Sequence, residues 1–180
     1  LRLQGRYRLQ RRLAARGFRW VWQAFDTVLE RTVIVKGVSE AGDHDRARAL
    51  QAEFELLHRL DHPRIAKALE IALIGERVGA SGINPSGVGA CLFFTQAWIS
   101  GPSLLDLRGR LSPDELRRCL TEVLEVVCYL HAQGLHRLDL KPSHLVRSGP
   151  GWCLLDLDQA RIDDPLSPAE LHGTLAYVAP

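Results

Sequence analysis

Residues 129–160 read YLHAQGLHRLDLKPSHLVRSGPGWCLLDLDQA, and this stretch indicates most about the fold and its chemistry. Asp139 and Lys141 lie just before the turn that Pro142 predicts, and Asp156 follows a hydrophobic run. A hairpin here would bring two carboxylates and an ammonium group around a phosphate, to orient a hydroxyl, neutralise transferring charge and hold a metal ion. Ordinary solvated charges in turns give the same pattern, so the stretch by itself leaves both interpretations open.

The segment before this stretch predicts the clearest helix of the chain, from Ser112 to about His131. Ser112 is an N-cap candidate, Pro113 suits the first helical position, and Glu115 completes a capping box. Apolar residues then recur at three- and four-residue steps and form a stripe of Leu116, Leu120, Val123, Leu124, Val127 and Leu130. Short strand-like pieces are predicted beyond the helix, around residues 145–146 and 153–155.

The N-terminal half predicts an antiparallel sheet with one helix. Strand patterns cover residues 6–10, 18–25, 32–38, 66–76 and 91–99, and helical spacing covers residues 45–60. The glycine-rich residues 75–90 lack the strand–GxGxxG–helix order of a phosphate loop, so they predict a hairpin connection. A sheet followed by a mostly helical part indicates an α+β fold rather than alternating βαβ units.

The N-terminus is rich in arginine, and the first acidic residue is Asp26. Such a start is also typical of a transit peptide, but the alternation in Arg6-Tyr7-Arg8-Leu9-Gln10 favours a strand with a solvated arginine face. A basic nucleic-acid-binding module is a further alternative. Aromatic stacking positions do not accompany the arginines and the net charge is only +2, so no nucleic-acid partner is expected.

The composition is that of a globular domain. Of the 180 residues, 46% are hydrophobic and 24% are charged, which excludes a wholly disordered chain. No run of about 18 apolar residues is present, so no membrane span is predicted in this segment. The four cysteines lack metal-ligand spacing, which favours free thiols in a reducing, cytoplasmic compartment or buried packing residues. The absence of Met indicates a fragment of a longer protein.

Further motifs follow one another in a recognisable order. They are residues 13–26, the strand Val33-Ile34-Val35-Lys36, Glu53, the turn at residues 60–65, residues 98–104, the loop at residues 137–144, the triplet Asp156-Leu157-Asp158, and residues 173–180. This order resembles the eukaryotic-type Ser/Thr protein kinase domain in its bacterial form. The resemblance implies a two-lobe fold. Residues 1–99 would form a five-stranded antiparallel N-lobe sheet with one helix and the hinge, and residues 100–180 the first part of a mainly helical C-lobe that ends at the activation segment.

The resemblance implies that the chain binds ATP through its first part. Lys36 would hold the α- and β-phosphates, and Glu53 would fix the direction of Lys36. Val21 stands at an apolar position of the nucleotide loop region. The hinge backbone at Ala97 and Ile99 would pair with adenine.

The catalytic roles that the resemblance implies fall in the second part. Asp139 would accept the proton of the substrate hydroxyl, Lys141 would lie at the γ-phosphate, and Asp156 would ligate Mg²⁺. Lys141 together with Thr174 in the activation segment indicates Ser/Thr rather than Tyr substrates.

Departures from the family pattern cluster on the nucleotide. The three loop glycines would fall at Ala14, Arg16 and Arg19, where side chains are expected to lift the loop from phosphate. The arginines would either contact phosphate through their guanidinium groups or face water. Ile34 replaces a small residue on the strand face of Lys36 and would narrow the adenine slot, unless a slight strand shift absorbs it.

Other departures concern the metal, the regulation and the adenine pocket. His144 replaces an asparagine that holds the second metal ion; imidazole suits Mg²⁺ poorly, so His144 is a doubtful ligand and Mn²⁺ an alternative metal. Asp158 replaces a glycine, and it either keeps the turn or adds a carboxylate to the metal site. Leu138 replaces the arginine that reads an activation-loop phosphate, so control by such phosphorylation is not expected. Gln96 would line the back of the adenine pocket, with its amide facing a water.

Two functions remain open at this point. The intact set of five charged residues predicts an ATP-dependent Ser/Thr protein kinase domain with weak activity on a protein substrate, within a longer parent chain that carries further domains. The lost glycines, His144 and Asp158 predict instead a pseudokinase that binds or scaffolds partners. The intact set, which consists of Lys36, Glu53, Asp139, Lys141 and Asp156, favours the kinase. Loss of one polar group that contacts the phosphate or the metal ion often slows phosphoryl transfer without abolishing it.

Overall fold

The computed structural model describes residues 2–16, 19–39, 44–74, 91–136 and 140–157. The chain divides into two compact units, the first made of Leu1–Leu60 and Lys67–Trp98 and the second of Asp61–Ala66 and Ile99–Pro180. Some predictions fall on residues outside the described parts: those for the glycine-rich connection, Leu138, Asp139, Asp158 and Thr174.

Within its described residues, the first unit forms a six-stranded antiparallel sheet with the order β1-β2-β3-β4-β6-β5. The strands are β1 Arg2–Leu3, β2 Tyr7–Arg16, β3 Arg19–Asp26, β4 Arg31–Ser39, β5 Ala68–Ile74 and β6 Cys91–Ala97. The expectation of five strands was wrong, because the sheet has an additional edge strand, β1. That strand has two residues, too few to show any alternation, and it exists because the chain turns back and pairs Leu3 with Tyr7.

One face of this sheet carries a hydrophobic core. Tyr7 and Leu9 point into it while Arg8 on the same strand is exposed, which confirms the strand predicted for the arginine-rich N-terminus. The buried cluster consists of Leu3, Tyr7, Leu9, Trp20, Ala24, Val33, Val35, Ile74, Cys91 and Phe93. Each large apolar side chain buried there contributes about 1.5–3 kcal/mol.

Helix α1, His44–Arg59, packs against the sheet, close to the predicted bounds. Leu50 and Leu57 are buried, and the Phe54 ring lies 5.9 Å from the Phe94 ring on β6. The helix ends before Pro63, whose missing N–H cannot continue it.

Helix α2, Pro113–Ala132, begins as its capping residues predict. The Glu115 carboxylate accepts from the Ser112 N–H at 2.8 Å, and the Glu115 N–H donates to Ser112 Oγ at 3.3 Å. The predicted apolar stripe is only partly buried. The buried residues are Cys119, Val126 and Leu130, whereas Leu116, Leu120 and Leu124 are exposed. The helix packs on one side against a β-hairpin, so its buried face is narrower than its apolar face.

That hairpin consists of β7, Leu145–Ser148, and β8, Gly151–Leu154. It also holds the segment Asp61–Ala66 within the second unit, because the Leu154 N–H donates to the Arg64 carbonyl at 2.8 Å. The hairpin follows a short 3₁₀ turn at Pro142–His144.

All four cysteines are free thiols. Cys91 and Cys119 are buried, and burial raises the pKa of Cys119 to about 11, which keeps this thiol protonated near neutrality. Among the described residues, no helix has the length and apolar character that a membrane span requires.

Candidate active site

Lys36 on β4 and Glu53 on α1 form a buried ion pair in the first unit. The Lys36 ammonium donates to Glu53 Oε1 at 2.7 Å, and the two side chains are 11% and 3% exposed. The Phe94 ring lies beside the ammonium, 5.8 Å from its nitrogen to the ring centroid. Burying opposite charges costs desolvation that their attraction offsets only in good geometry, so this pair is a site candidate rather than a simple stabiliser.

Arg19 on β3 contacts the same carboxylate. Its Nη2 donates to Glu53 Oε2 at 2.7 Å, so each oxygen of Glu53 accepts from a different cation. The sequence predicted that Arg19 either meets phosphate or faces water; its side chain is 39% exposed but binds Glu53. Alternation along β3 puts Arg19 on the same face as Val21, and the register places Val21 opposite Lys36. The alternation was a signal available in the sequence, but the contact between Arg19 and Glu53 was not predicted from it.

The strand register assembles a continuous row on that face. Val21 lies opposite Lys36, and Lys36 lies opposite Phe94. Two residue pairs further along, Ile34 lies opposite Gln96 on the same face. Gln96 is only 2% exposed, so it is shielded from bulk solvent.

The two hinge candidates belong to different units. Ala97 ends β6 in the first unit, where it pairs with Val33 and its N–H donates to the Lys67 carbonyl at 2.9 Å. Ile99 lies in the second unit, beyond the end of the strand.

His144 and Asp156 come together at one end of the second unit's hairpin. Leu145, which follows His144, pairs with Leu154, which lies two residues before Asp156, so the two segments are neighbours. The Leu155 N–H donates to the His144 carbonyl at 2.9 Å, and His144 Nε2 lies 3.8 Å from Asp156 Oδ2. Lys141 precedes the 3₁₀ turn, and its carbonyl accepts from the His144 N–H at 2.9 Å.

These side chains offer a carboxylate and an imidazole to a cation. The Asp156 side chain is 25% exposed and that of His144 is 14% exposed. No group of three or more His, Cys, Asp or Glu side chains that could hold a metal ion occurs within the described ranges.

His131 and His136 stack on each other, with their ring centroids 4.9 Å apart.

Comparison with known proteins identifies the family. The sequence model of the "Protein kinase domain" matches residues 8–180. The chain is 31% identical over 177 residues to the serine/threonine-protein kinase PknG of Mycolicibacterium smegmatis, covering 97% of this chain and 22% of that protein. It is 30% identical over 187 residues to the serine/threonine-protein kinase PknA of Mycobacterium tuberculosis, covering 99% of this chain and 41% of that protein.

A plant protein is similar as well. The CBL-interacting protein kinase 19 of Oryza sativa subsp. japonica is 28% identical over 187 residues, an alignment that covers 99% of this chain and 34% of that protein. The chain thus spans less than half the length of these relatives. Because the family model matches almost the entire sequence, the chain belongs to the protein kinase domain family.

Proposed function

We propose that the chain is the ATP-dependent kinase domain of a protein kinase and transfers the γ-phosphate to Ser or Thr hydroxyls of a protein substrate. The observation that carries this proposal is the Lys36–Glu53 pair, assembled at 2.7 Å on the sheet face that also presents Val21. A buried lysine paired with a carboxylate contributes little net stability, so the pair is better suited to binding a ligand than to stabilising the fold.

In the first unit, Lys36 would hold the α- and β-phosphates of ATP. Glu53 accepts a hydrogen bond from the ammonium group and fixes its direction, so that little side-chain entropy is lost when phosphate binds. The backbone at Ala97 and Ile99 would pair with adenine.

In the second unit, Asp139 would accept the proton of the substrate hydroxyl, and Lys141 would neutralise charge on the transferring phosphoryl group. The Asp156 carboxylate would hold Mg²⁺, the ion that neutralises phosphate charge when bound. The residues fit a divalent cation in part: a carboxylate is a hard ligand suited to Mg²⁺, whereas the imidazole of His144 suits Mn²⁺ better.

Ser/Thr substrates are supported by the names of the relatives PknG and PknA, both called serine/threonine-protein kinases, and by Lys141 and Thr174 in the motifs that resemble the family. Further domains in a longer parent chain are supported by the share of each relative that the chain covers. A cytoplasmic location is supported by the four free thiols, since thiols persist in reducing compartments.

One observation favours a second function. His144 stands beside Asp156, where the family has an asparagine, and imidazole is a poor ligand for Mg²⁺. A domain that holds Mg²⁺ weakly would serve as a pseudokinase that binds or scaffolds partner proteins.

The test is transfer of labelled γ-phosphate from ATP to casein, with Mg²⁺ and with Mn²⁺. Transfer is expected to fall about 100-fold or more in Asp139→Asn and in Lys36→Met. Lys67→Met is the matched control, because Lys67 is an exposed lysine of the first unit, and it should retain activity. No transfer with either metal ion by the unaltered chain would overturn the kinase and favour the pseudokinase.

A further inference from the structure

The Arg19 side chain joins strand β3 to helix α1 through Glu53. Arg19 lies opposite Val38 in the sheet, two residues from the pair of Val21 and Lys36, so it projects from the face against which Glu53 packs. Its Nη2 lies 2.7 Å from Glu53 Oε2, which is within the range of a charge-assisted hydrogen bond.

The charges around Glu53 indicate that the Arg19 guanidinium group compensates the buried carboxylate. Glu53 is 3% exposed, so its carboxylate requires compensation from its neighbours. Lys36 supplies a cation from β4 and Arg19 supplies another from β3, and the carboxylate is thereby held from two adjacent strands. A carboxylate held at both oxygens has less rotational freedom than one held at a single oxygen.

We propose that Arg19 is a positioning residue that holds Glu53, and with it α1, against the sheet before any nucleotide binds. The Arg19 side chain then keeps the Lys36–Glu53 pair assembled in the nucleotide-free chain, and it does so from a position where the family pattern has a glycine. The inference deepens the proposed function, but the contact itself requires neither ATP nor phosphoryl transfer.

Two explanations of Arg19 predict opposite effects of Arg19→Gly. If the arginine only obstructs the approach of phosphate to the loop, glycine leaves α1 unchanged. If Arg19 holds Glu53, glycine loosens α1 in the nucleotide-free chain.

The experiment measures amide hydrogen exchange of residues 44–59 in the chain without nucleotide. Arg19→Gly is expected to accelerate exchange about fivefold or more, since removing a charged hydrogen-bond partner of a buried carboxylate weakens the local structure. Arg11→Gly is the matched control for glycine in a strand, because Arg11 is exposed on β2, and it should leave exchange in α1 within about twofold. Unchanged exchange in Arg19→Gly would overturn the proposal.

A second set of variants keeps the proposal testable if Arg19→Gly does not fold. Arg19→Lys should retain most of the protection of α1 and Arg19→Gln should lose it, because the contact depends on charge. Glutamine that protects as well as arginine would overturn the proposal. In a Glu53→Gln background, Arg19→Gln should accelerate hydrogen exchange in α1 by less than twofold. An equal acceleration with and without Glu53→Gln would also overturn the proposal.

These measurements separate the two proposals. Loss of α1 protection in Arg19→Gln establishes the contact even if the chain transfers no phosphate. Conversely, if the unaltered chain transfers phosphate and Arg19→Gln leaves the protection of α1 unchanged, the proposed function holds and the role of Arg19 is refuted.

Discussion

The ring of Trp20 fills the space that a Cβ atom at Gly37 would require. Trp20 is 3% exposed and belongs to the hydrophobic core on one face of the sheet. Because neighbouring residues in a strand point to opposite faces, this contact directs Arg19 and Val21 to the face of Lys36. The close packing on the core face therefore helps to fix which side chains stand at the candidate site.

Gly37→Ala is expected to lower the free energy of unfolding by about 2 kcal/mol, because the added methyl group overpacks the core. Urea unfolding followed by tryptophan fluorescence measures this loss. In a Trp20→Leu background, where the smaller side chain leaves room, the same substitution should cost less than about 0.5 kcal/mol. Equal costs in both backgrounds would show that the Trp20 ring is not the obstacle.

Asp26 makes the stability of the first unit sensitive to acid. Its carboxylate accepts two hydrogen bonds from the Arg6 guanidinium, at 2.8 and 2.7 Å, and this contact lowers its pKa from 3.8 to about 2. Because the folded pKa lies below the unfolded value, the stabilisation is present above about pH 4 and is lost as the pH falls towards 2. The loss amounts to about 2 kcal/mol.

Urea unfolding between pH 6 and pH 2 tests this linkage. The difference in free energy of unfolding between the unaltered chain and Asp26→Asn should shrink by about 2 kcal/mol over the lower part of that range. Asp114→Asn is the control, because the Asp114 side chain is 87% exposed and its ion pair contributes little to stability. Parallel curves for the unaltered chain and Asp26→Asn would contradict the prediction.

Glu122 on α2 is expected to matter more than Glu125 one turn away. Glu122 Oε2 accepts from Arg64 Nη1 and from the Trp152 N–H, both at 2.8 Å, whereas Glu125 is 57% exposed and lies 3.7 Å from Arg64 Nε. Glu122→Ala should lower the free energy of unfolding of the second unit by about 2 kcal/mol, because it leaves a half-buried N–H and a guanidinium group without this acceptor.

Glu125→Ala should change that free energy by less than about 0.5 kcal/mol, as exposed ion pairs contribute little. Urea unfolding of the two variants measures the difference. A loss in Glu125→Ala as large as that in Glu122→Ala would contradict the assignment of the contact to Glu122.

His144→Asn is expected to shift the metal preference of phosphate transfer towards Mg²⁺. An amide oxygen is a harder ligand than an imidazole nitrogen, so the ratio of activity in Mg²⁺ to activity in Mn²⁺ should rise about tenfold. The transfer assay with each metal ion measures this ratio. Ser143→Asn adds the same amide one position away and should leave the ratio unchanged; a rise in both variants would show that the position of the amide is irrelevant.

Local signals were enough to predict the main elements. The capping box of Ser112 and Glu115 lies within a single helical turn, so its residues meet wherever α2 forms. The alternation of Tyr7, Arg8 and Leu9 likewise predicts which side of β2 is buried, because a strand turns its side chains to opposite faces. The sequence thus determined α2, the antiparallel strands and, through the order of its motifs, the kinase family.

Only the tertiary structure decided which side chains meet across separate elements. Arg19 and Glu53 are 34 positions apart, and strand alternation indicates only the face on which Arg19 lies, not its partner on α1. Their contact exists because strand register turns Arg19 towards α1 while the packing of Phe54 against Phe94 sets that helix on the same face. Periodicity and caps depend on neighbours within a turn or two, whereas the partner of a buried charge depends on how whole elements pack.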